Sequence, residues 1–105
     1  FEVRRLSLAG TKALDEKAVE RLRDCPPVRY KLDLTNSNLT DAALEKISTY
    51  PGCAAAFHLD LDDTAVTDAG LAAVPRFRSA GRLMLAGLPV TGKGLGHLRN
   101  TRIQY

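Results

Sequence analysis

The sequence has few of the residues that build disulfide scaffolds or zinc sites. Its two cysteines, Cys25 and Cys53, stand 28 residues apart in a chain of 105 residues, and no Cys-x-x-Cys pair occurs. The two histidines, His58 and His97, lie 39 residues apart, so the ligand spacing of zinc sites is missing. We therefore expect no metal site and no disulfide framework. The low cysteine content favours a reducing compartment, which we take to be the cytoplasm.

Long apolar runs are also missing. Every apolar stretch is interrupted within a few residues, well short of the roughly 18 to 20 apolar residues that a membrane helix needs. Residues 1–9 alternate charged and apolar side chains and lack the order of a secretory signal. We expect no membrane partner. The length predicts a single domain over residues 1–105, and Phe1 in place of an initiator Met predicts a piece of a longer chain.

No set of catalytic residues is visible. The sequence has no Gly-x-Ser-x-Gly elbow and no cysteine with a nearby histidine for nucleophilic catalysis. Residues 87–94 match the phosphate-loop pattern of Gly, four residues, Gly and Lys, but Gly94 stands where a Ser or Thr holds magnesium. Nucleotide binding through Lys93 stays an alternative. The sequence otherwise predicts a protein that is not an enzyme and carries no cofactor.

Charge is distributed in bands along the chain. Residues 1–31 carry eight basic and five acidic side chains, residues 32–68 carry one basic and seven acidic, and residues 69–105 carry six basic and no acidic ones. The aromatic residues of the last band are only Phe77 and Tyr105. Because binding to nucleic acid strands combines cations with aromatic stacking platforms, we do not expect a nucleic acid partner.

Four segments of the chain fit one template of apolar and turn positions. In the segment that begins at Leu59, apolar residues stand at offsets 0, 2, 7, 12 and 15, and a Thr-Asp pair stands at offsets 8 and 9. The segments from Leu32 and Leu83 keep the apolar offsets, and a Thr-Gly pair replaces Thr-Asp in the second of these. The segment from Leu6 needs one inserted residue. We name the segments units 1 to 4 in chain order.

Each unit changes its hydrophobic period from two to three, which predicts a short strand followed by a helix. The Leu-x-Leu pair at the start gives the strand one buried face. Thr40 and Thr67 are placed to cap the helices by accepting from free amides of the first turn. The aspartate after each lies in the first turn, where the helix dipole stabilises a negative charge. Pro51 and Pro75 are expected to end the helices.

These features resemble the leucine-rich repeat family. Units begin every 24 to 27 residues, within the family's range of about 20 to 29, and residues 67–71 read Thr-Asp-Ala-Gly-Leu. The chain is similar to the cysteine-containing repeats and to the Thr-Asp-Ala-Gly-Leu repeats. The resemblance implies an α/β solenoid with a short parallel β-sheet on its concave face and short helices on its convex face. We interpret Cys25 and Cys53 as small buried hydrophobes between units.

The resemblance implies that partners bind on the strand face. If the Leu-x-Leu residues point inward, the residues between and around them point outward in columns across the strands. One column is Arg5, Lys31, His58 and Arg82; the next is Ser7, Asp33, Asp60 and Met84; the third is Ala9, Thr35, Asp62 and Ala86. A solvated sheet face is the alternative. The adjacent carboxylates Asp33 and Asp60 favour binding, because like charges on neighbouring strands destabilise a sheet unless cations offset them.

A protein ligand is the partner that this face predicts, and a basic segment suits its carboxylates. A metal site is the alternative for His58, Asp60 and Asp62, which alternate along one strand. Residues two apart on a strand are separated by roughly 6.6 to 6.8 Å, however, which is too far for three side chains to converge on one ion. The predicted partner-binding residues are Arg5, Lys31, Asp33, His58, Asp60, Asp62, Arg82 and Met84.

Two further expectations concern the wider setting of the units. The chain is expected to serve as a non-catalytic interaction module or scaffold; the alternative is the substrate-targeting segment of a larger enzyme, such as a ubiquitin ligase or a bacterial effector. Open solenoid ends and the charge bands also predict self-association between copies. Ile103 and Tyr105 are predicted to begin a fifth strand.

Overall fold

Four short strands pair side by side in the order in which they occur in the chain, and every pairing is parallel. The structure, a computed structural model, describes residues 3–12, 14–99, 101, 103 and 104. The strands are β1 (Val3–Ser7), β2 (Val28–Asp33), β3 (His58–Asp60) and β4 (Arg82–Met84). Each begins at or before the leucine that opens a unit, as the alternating pattern predicts.

Short helices connect successive strands. The α-helices are α1 (Glu16–Glu20), α2 (Asp41–Ser48), α3 (Pro51–Ala54), α4 (Asp68–Leu71) and α5 (Gly92–Leu95). Single 3₁₀ turns follow at Arg21–Asp24, Val74–Arg76 and Gly96–Leu98. The described chain is therefore a small α/β domain with a parallel four-stranded sheet.

The two prolines begin helical turns instead of only ending helices, which corrects the prediction made for them. Pro51 is the first residue of α3, and Pro75 lies at the start of the 3₁₀ turn Val74–Arg76. Proline is well accommodated there, because the first turn of a helix leaves its amides without intrahelical partners. The preceding helix α2 has already ended at Ser48.

The leucines that open the units align across the sheet. Leu6 pairs with Leu32, Leu32 with Leu59, and Leu59 with Leu83. Leu32 and Leu59 are fully buried, and Leu34 and Leu61, two residues further on, are fully buried as well. The predicted inward orientation of the Leu-x-Leu pairs is confirmed. Leu85, Leu6 and Leu8 are only partly buried, packed against the same core.

Each strand ends in the same kind of turn. The residue at offset 4 adopts a left-handed conformation in all four units: φ is 77° at Gly10, 50° at Asn36, 56° at Asp63 and 78° at Gly87. Glycine, asparagine and aspartate are the residues that tolerate this conformation best. All four units therefore have a residue that tolerates positive φ at the position where the strand turns towards the helix.

Carboxylates at the start of two helices bind the next unit along the sheet. Asp41 accepts hydrogen bonds from the backbone amide of Thr67 (N–Oδ1 2.7 Å) and from its hydroxyl (Oγ1–Oδ2 2.5 Å). Asp68 accepts the same two bonds from Thr91, at 2.7 and 2.6 Å. The predicted side-chain cap of α4 is wrong, because the Thr67 hydroxyl accepts no hydrogen bond from the first turn, although Thr67 is the N-cap residue. The Thr40 hydroxyl does cap α2, as predicted.

Two glycines leave room for these carboxylates. A Cβ atom on Gly70 would overlap the Oδ1 atom of Asp41, and a Cβ atom on Gly94 would overlap the Oδ1 atom of Asp68. The aspartate of one unit thus requires a glycine two residues beyond the aspartate position of the next unit. This contact accounts for the Thr-Asp-Ala-Gly-Leu sequence of residues 67–71 in physical terms.

The chain pairs once more with the sheet beyond β4. Gln104 forms a parallel bridge with Arg82, and the Leu83 amide donates to the Gln104 carbonyl at 2.8 Å. Ile103 is buried in the core. The fifth strand predicted at this point therefore has its first pairing, while Tyr105 lies outside the described residues. None of the helices in the described ranges has the length and apolar character needed to cross a lipid bilayer.

Candidate functional site

Two rows of side chains cross the sheet on the face opposite the leucines. The parallel register pairs Arg5 with Lys31, Lys31 with His58, and His58 with Arg82. One step further along the strands it pairs Ser7 with Asp33, Asp33 with Asp60, and Asp60 with Met84. The first two of the three predicted columns are confirmed as geometry. We call them the basic row (Arg5, Lys31, His58, Arg82) and the acidic row (Ser7, Asp33, Asp60, Met84).

The rows differ in exposure from their ends to their centre. Arg5 and Arg82 are exposed at the two ends of the basic row, and Met84 is 39% exposed at the end of the acidic row. Lys31, His58 and Asp33 are half-buried, and Asp60 retains only 9% of its surface. The centre of the face is therefore a shallow polar region whose charges are partly removed from water.

Asp33 is well compensated by its surroundings. Its Oδ1 atom accepts from the Thr35 amide at 3.1 Å and from the Thr35 hydroxyl at 2.8 Å. Burial alone raises the pKa of Asp33, but the Thr35 hydrogen bonds and the charges of Lys31 and His58 more than offset it, and the pKa is lowered. Asp33 therefore carries a stable negative charge on the sheet face.

Asp60 is poorly compensated although it occupies the equivalent position on the next strand. It accepts from the Asp62 amide at 3.2 Å, and Lys31 Nζ lies 3.8 Å from its Oδ2 atom. Burial raises the pKa of Asp60, and the nearby carboxylates Asp62 and Asp33 raise it further, despite the hydrogen bond from the Asp62 amide and the charge of Lys31. The negative charge of Asp60 is therefore only partly neutralised by its neighbours, and a further cation nearby would stabilise it.

His58 lies at the centre of the basic row with a buried ring nitrogen. Its Nε2 atom has no hydrogen-bond partner among the described residues. Burial and the adjacent cations Lys31 and Arg82 lower the pKa of His58 against the opposing effect of Asp60 and Asp33. The imidazole is therefore favoured in its neutral form, as one would expect of a ring between two cations.

An aromatic residue that the sequence analysis did not single out extends this face. Tyr30 is exposed, with Arg4 and Arg5 above its ring at 5.7 and 5.4 Å from the ring centroid. The ring meets His58 edge to face, with centroids 6.4 Å apart. A register shift between Val3 and Arg5 gives β2 one extra residue. No sequence signal marks that irregularity, so the place of Tyr30 beside the basic row was not predictable.

Asp62 lies on the same face of the sheet and also binds a backbone amide. Its Oδ1 atom accepts from the Ala86 amide at 2.7 Å, so the carboxylate links the turn after β3 to the turn after β4. Asp62 is half-buried and belongs to the predicted third column. No three His, Cys, Asp or Glu side chains in the described part of the chain are grouped closely enough to hold a metal ion.

The loop that matches the phosphate-binding pattern is occupied by a carboxylate. Asp68 accepts from the amide and hydroxyl of Thr91, two residues before Lys93. Those bonds lower the pKa of Asp68. A phosphate bound by the same amide would stand against this negative charge. The Thr91 amide of this loop is therefore already bound by a carboxylate of the preceding helix.

Comparison with known proteins leaves the chain without an assigned family. No protein-family model matches the sequence, and no curated protein matches it with significance.

Proposed function

We propose that the chain is a leucine-rich-repeat solenoid that binds a protein ligand on the concave face of its sheet, without catalysis. Three features support the repeat architecture. The opening leucines share one register across the sheet, the residue at offset 4 has positive φ in every unit, and aspartates bind the threonine of the following unit. Units of this kind stabilise each other only as neighbours, which is the property of a solenoid.

The observation that carries the binding function is the unequal pair of carboxylates at the centre of the face. Asp33 and Asp60 pair directly across β2 and β3; Asp33 accepts two hydrogen bonds from Thr35, whereas Asp60 accepts one from the Asp62 amide. Like charges on neighbouring strands are destabilising unless something offsets them. Lys31, 3.8 Å from Asp60, offsets part of this repulsion. A lysine or arginine from a partner supplies the rest.

The proposed ligand is a basic protein segment with acidic or polar flanks. Its cation meets Asp33 and Asp60, while Arg5, Lys31 and Arg82 of the basic row meet its flanking groups. Met84, exposed at the end of the acidic row, offers an apolar contact of the kind that adapts to different partners. The same face serves the chain as an independent module in the cytoplasm or as the targeting segment of a larger enzyme.

Site-specific photocrosslinking in cells tests the proposal. A photoreactive residue at Met84 is expected to capture a protein, and the double variant Asp33→Asn, Asp60→Asn is expected to reduce that capture at least about tenfold. The matched control is Glu20→Gln with Asp24→Asn, which removes two carboxylates from exposed positions on the connection between β1 and β2. The control is expected to leave the capture unchanged.

Two results overturn the proposal. One is a captured protein whose yield falls equally in the face variant and in the control, which assigns the effect to net charge. The other is the absence of any captured protein at Met84 when the same photoreactive residue at Glu20 captures one, which places binding on another surface.

A further inference from the structure

Two free thiols lie against each other where unit 1 meets unit 2. Cys53 is fully buried, Cys25 is half-buried, and each thiol is close enough to shift the pKa of the other. The carbonyl of Leu22 fixes both residues. It accepts from the Cys25 amide at 3.1 Å, and it lies 3.9 Å from the Sγ atom of Cys53.

The two backbones are as closely packed as the thiols. A Cβ atom on Gly52 would overlap the carbonyl oxygen of Cys25 and would lie 3.0 Å from the carbonyl oxygen of Pro26. Only glycine fits beside Cys53 at this point, and the contact holds residues 25–26 against residues 52–53. A disulfide needs two cysteines whose backbones approach closely, and this packing brings Cys25 against the residue that precedes Cys53.

We propose that Cys25 and Cys53 form an oxidisable dithiol, which a low-molecular-weight disulfide such as oxidised glutathione converts to an intramolecular disulfide. In the first step the Cys25 thiolate attacks one sulfur of oxidised glutathione and releases one glutathione thiolate. In the second step the Cys53 sulfur attacks the mixed disulfide at Cys25 and releases the second glutathione. The cysteines lose two electrons and two protons, and the products are two molecules of reduced glutathione.

Accessibility sets the order of the two steps. Cys25 retains exposed surface, whereas Cys53 has none and is reached only by a neighbouring sulfur. Burial raises the pKa of the Cys53 thiol to about 12, with a further contribution from Cys25. Burial also raises the pKa of the Cys25 thiol, against the hydrogen bond with Cys53. Since the thiolate is the attacking form, the oxidation rate is expected to rise with pH through the neutral range.

The disulfide closes a loop that contains the second strand of the candidate face. The chain between Cys25 and Cys53 includes β2, with Lys31 and Asp33, and helix α2. A crosslink of this kind restricts the unfolded chain and the partial opening of the enclosed elements. Oxidation is therefore expected to slow the amide hydrogen exchange of β2. This inference does not depend on the identity of the ligand.

The test exposes the reduced, folded chain to buffers with increasing ratios of oxidised to reduced glutathione, and then traps free thiols by alkylation for peptide mass spectrometry. The expected product links Cys25 to Cys53, and amide exchange in residues 28–33 is expected to slow at least about threefold on oxidation. The Cys25→Ser variant, altered at the half-buried position, is expected to leave Cys53 reduced in the folded state. Cys53→Ala is expected to stop the reaction at the glutathione adduct of Cys25.

Three outcomes contradict the inference. A wild-type chain that keeps glutathione on Cys25 lacks the second step, and a wild-type chain that stays fully reduced lacks the first. A disulfide that forms only in urea shows that the native packing does not bring the sulfurs together. If Cys53→Ala does not fold, the Cys25→Ser variant tests the inference alone. Oxidised Cys53 in the folded Cys25→Ser chain would show that Cys53 reacts without Cys25 and would contradict the proposed order of steps.

Discussion

The inner units and the outer units of this chain are built from similar residues, but they reach different degrees of burial. Leu34 in unit 2 and Leu61 in unit 3 are fully buried, while Leu8 in unit 1 and Leu85 in unit 4 are partly buried at the equivalent position. The side chain is leucine in every case. The difference comes from the number of neighbouring units, which teaches that the core of this molecule is supplied between units and not within them.

Polar contacts between units divide the chain differently, since they separate units 3 and 4 from units 1 and 2. The helices of units 3 and 4 begin at a threonine held by the aspartate of the preceding unit, Asp41 or Asp68. Helix α1 of unit 1 has its own cap, in which Asp15 accepts from the Ala18 amide at 2.9 Å. A helix that has no aspartate from a preceding unit must satisfy its first amides locally.

The largest expected effect is a loss of core volume in an inner unit. Leu34→Ala is expected to lower the free energy of unfolding by about 2 to 5 kcal/mol, because the side chain is fully buried and leaves a cavity. Leu8→Ala, at the matched outer position, is expected to cost less than half as much. Urea unfolding followed by circular dichroism measures both. Equal losses would mean that burial does not depend on neighbouring units.

Glycine replacement at the contact between inner units is expected to come next. A Cβ atom on Gly70 would overlap Asp41 and would lie 2.9 Å from Val66 Cγ1, so Gly70→Ala is expected to cost about 1 to 3 kcal/mol. Gly96→Ala in unit 4 meets nothing within 4 Å and is expected to stabilise the chain by about 0.4 to 1 kcal/mol. Thermal unfolding distinguishes them by the sign of the change in Tm. A stabilising Gly70→Ala would contradict the contact with Asp41.

The smallest expected effects on stability come from Asp33 and Asp60, which occupy equivalent positions in the two inner units. The pKa of Asp33 is lowered from 3.8, so its ionised form stabilises the fold above that value, and this contribution is lost as the pH falls through the lowered pKa. The pKa of Asp60 is raised from 3.8, so its protonated form stabilises the fold below that value, and this contribution is lost as the pH rises through the raised pKa.

The two asparagine variants are therefore expected to shift stability in opposite directions at neutral pH. Asp33→Asn lowers the free energy of unfolding and Asp60→Asn raises it, each by less than about 1 kcal/mol because water screens these charges. Both differences are expected to vanish in acid, as the carboxyl groups become protonated. Urea titrations at neutral and acidic pH measure them. A destabilising Asp60→Asn would show that its contact with Lys31 outweighs the repulsion from Asp33 and Asp62.

The leucine pattern was sufficient to predict the strands and their register. Leu-x-Leu fixes which face is buried, and a one-residue slip would expose the buried leucines, so the pairing of Lys31 with His58 and of Asp33 with Asp60 followed directly. Tyr30 was missed because a single extra residue in β2 changes its direction. Such an irregularity depends on the neighbouring strand and has no local pattern.

The contact between aspartate and the next unit was missed for a different reason. A Thr-Asp pair is a good local start for a helix, and local reasoning assigned both residues to one helix. A signal was nevertheless present in the sequence: Gly70 and Gly94 occur only in units that follow an aspartate unit, whereas unit 2 has Ala43 at that position. Comparison between units reveals what inspection of one unit does not.

The most direct test of the account is the measurement of nuclear Overhauser contacts between strands in an isotopically labelled sample. The account predicts parallel contacts from Leu32 to Leu59 and from Leu59 to Leu83, with Asp33 beside Asp60 on the opposite face. Antiparallel contacts would contradict the stacked units, and a register displaced by one residue would turn Asp33 and Asp60 towards the core and contradict the proposed binding face.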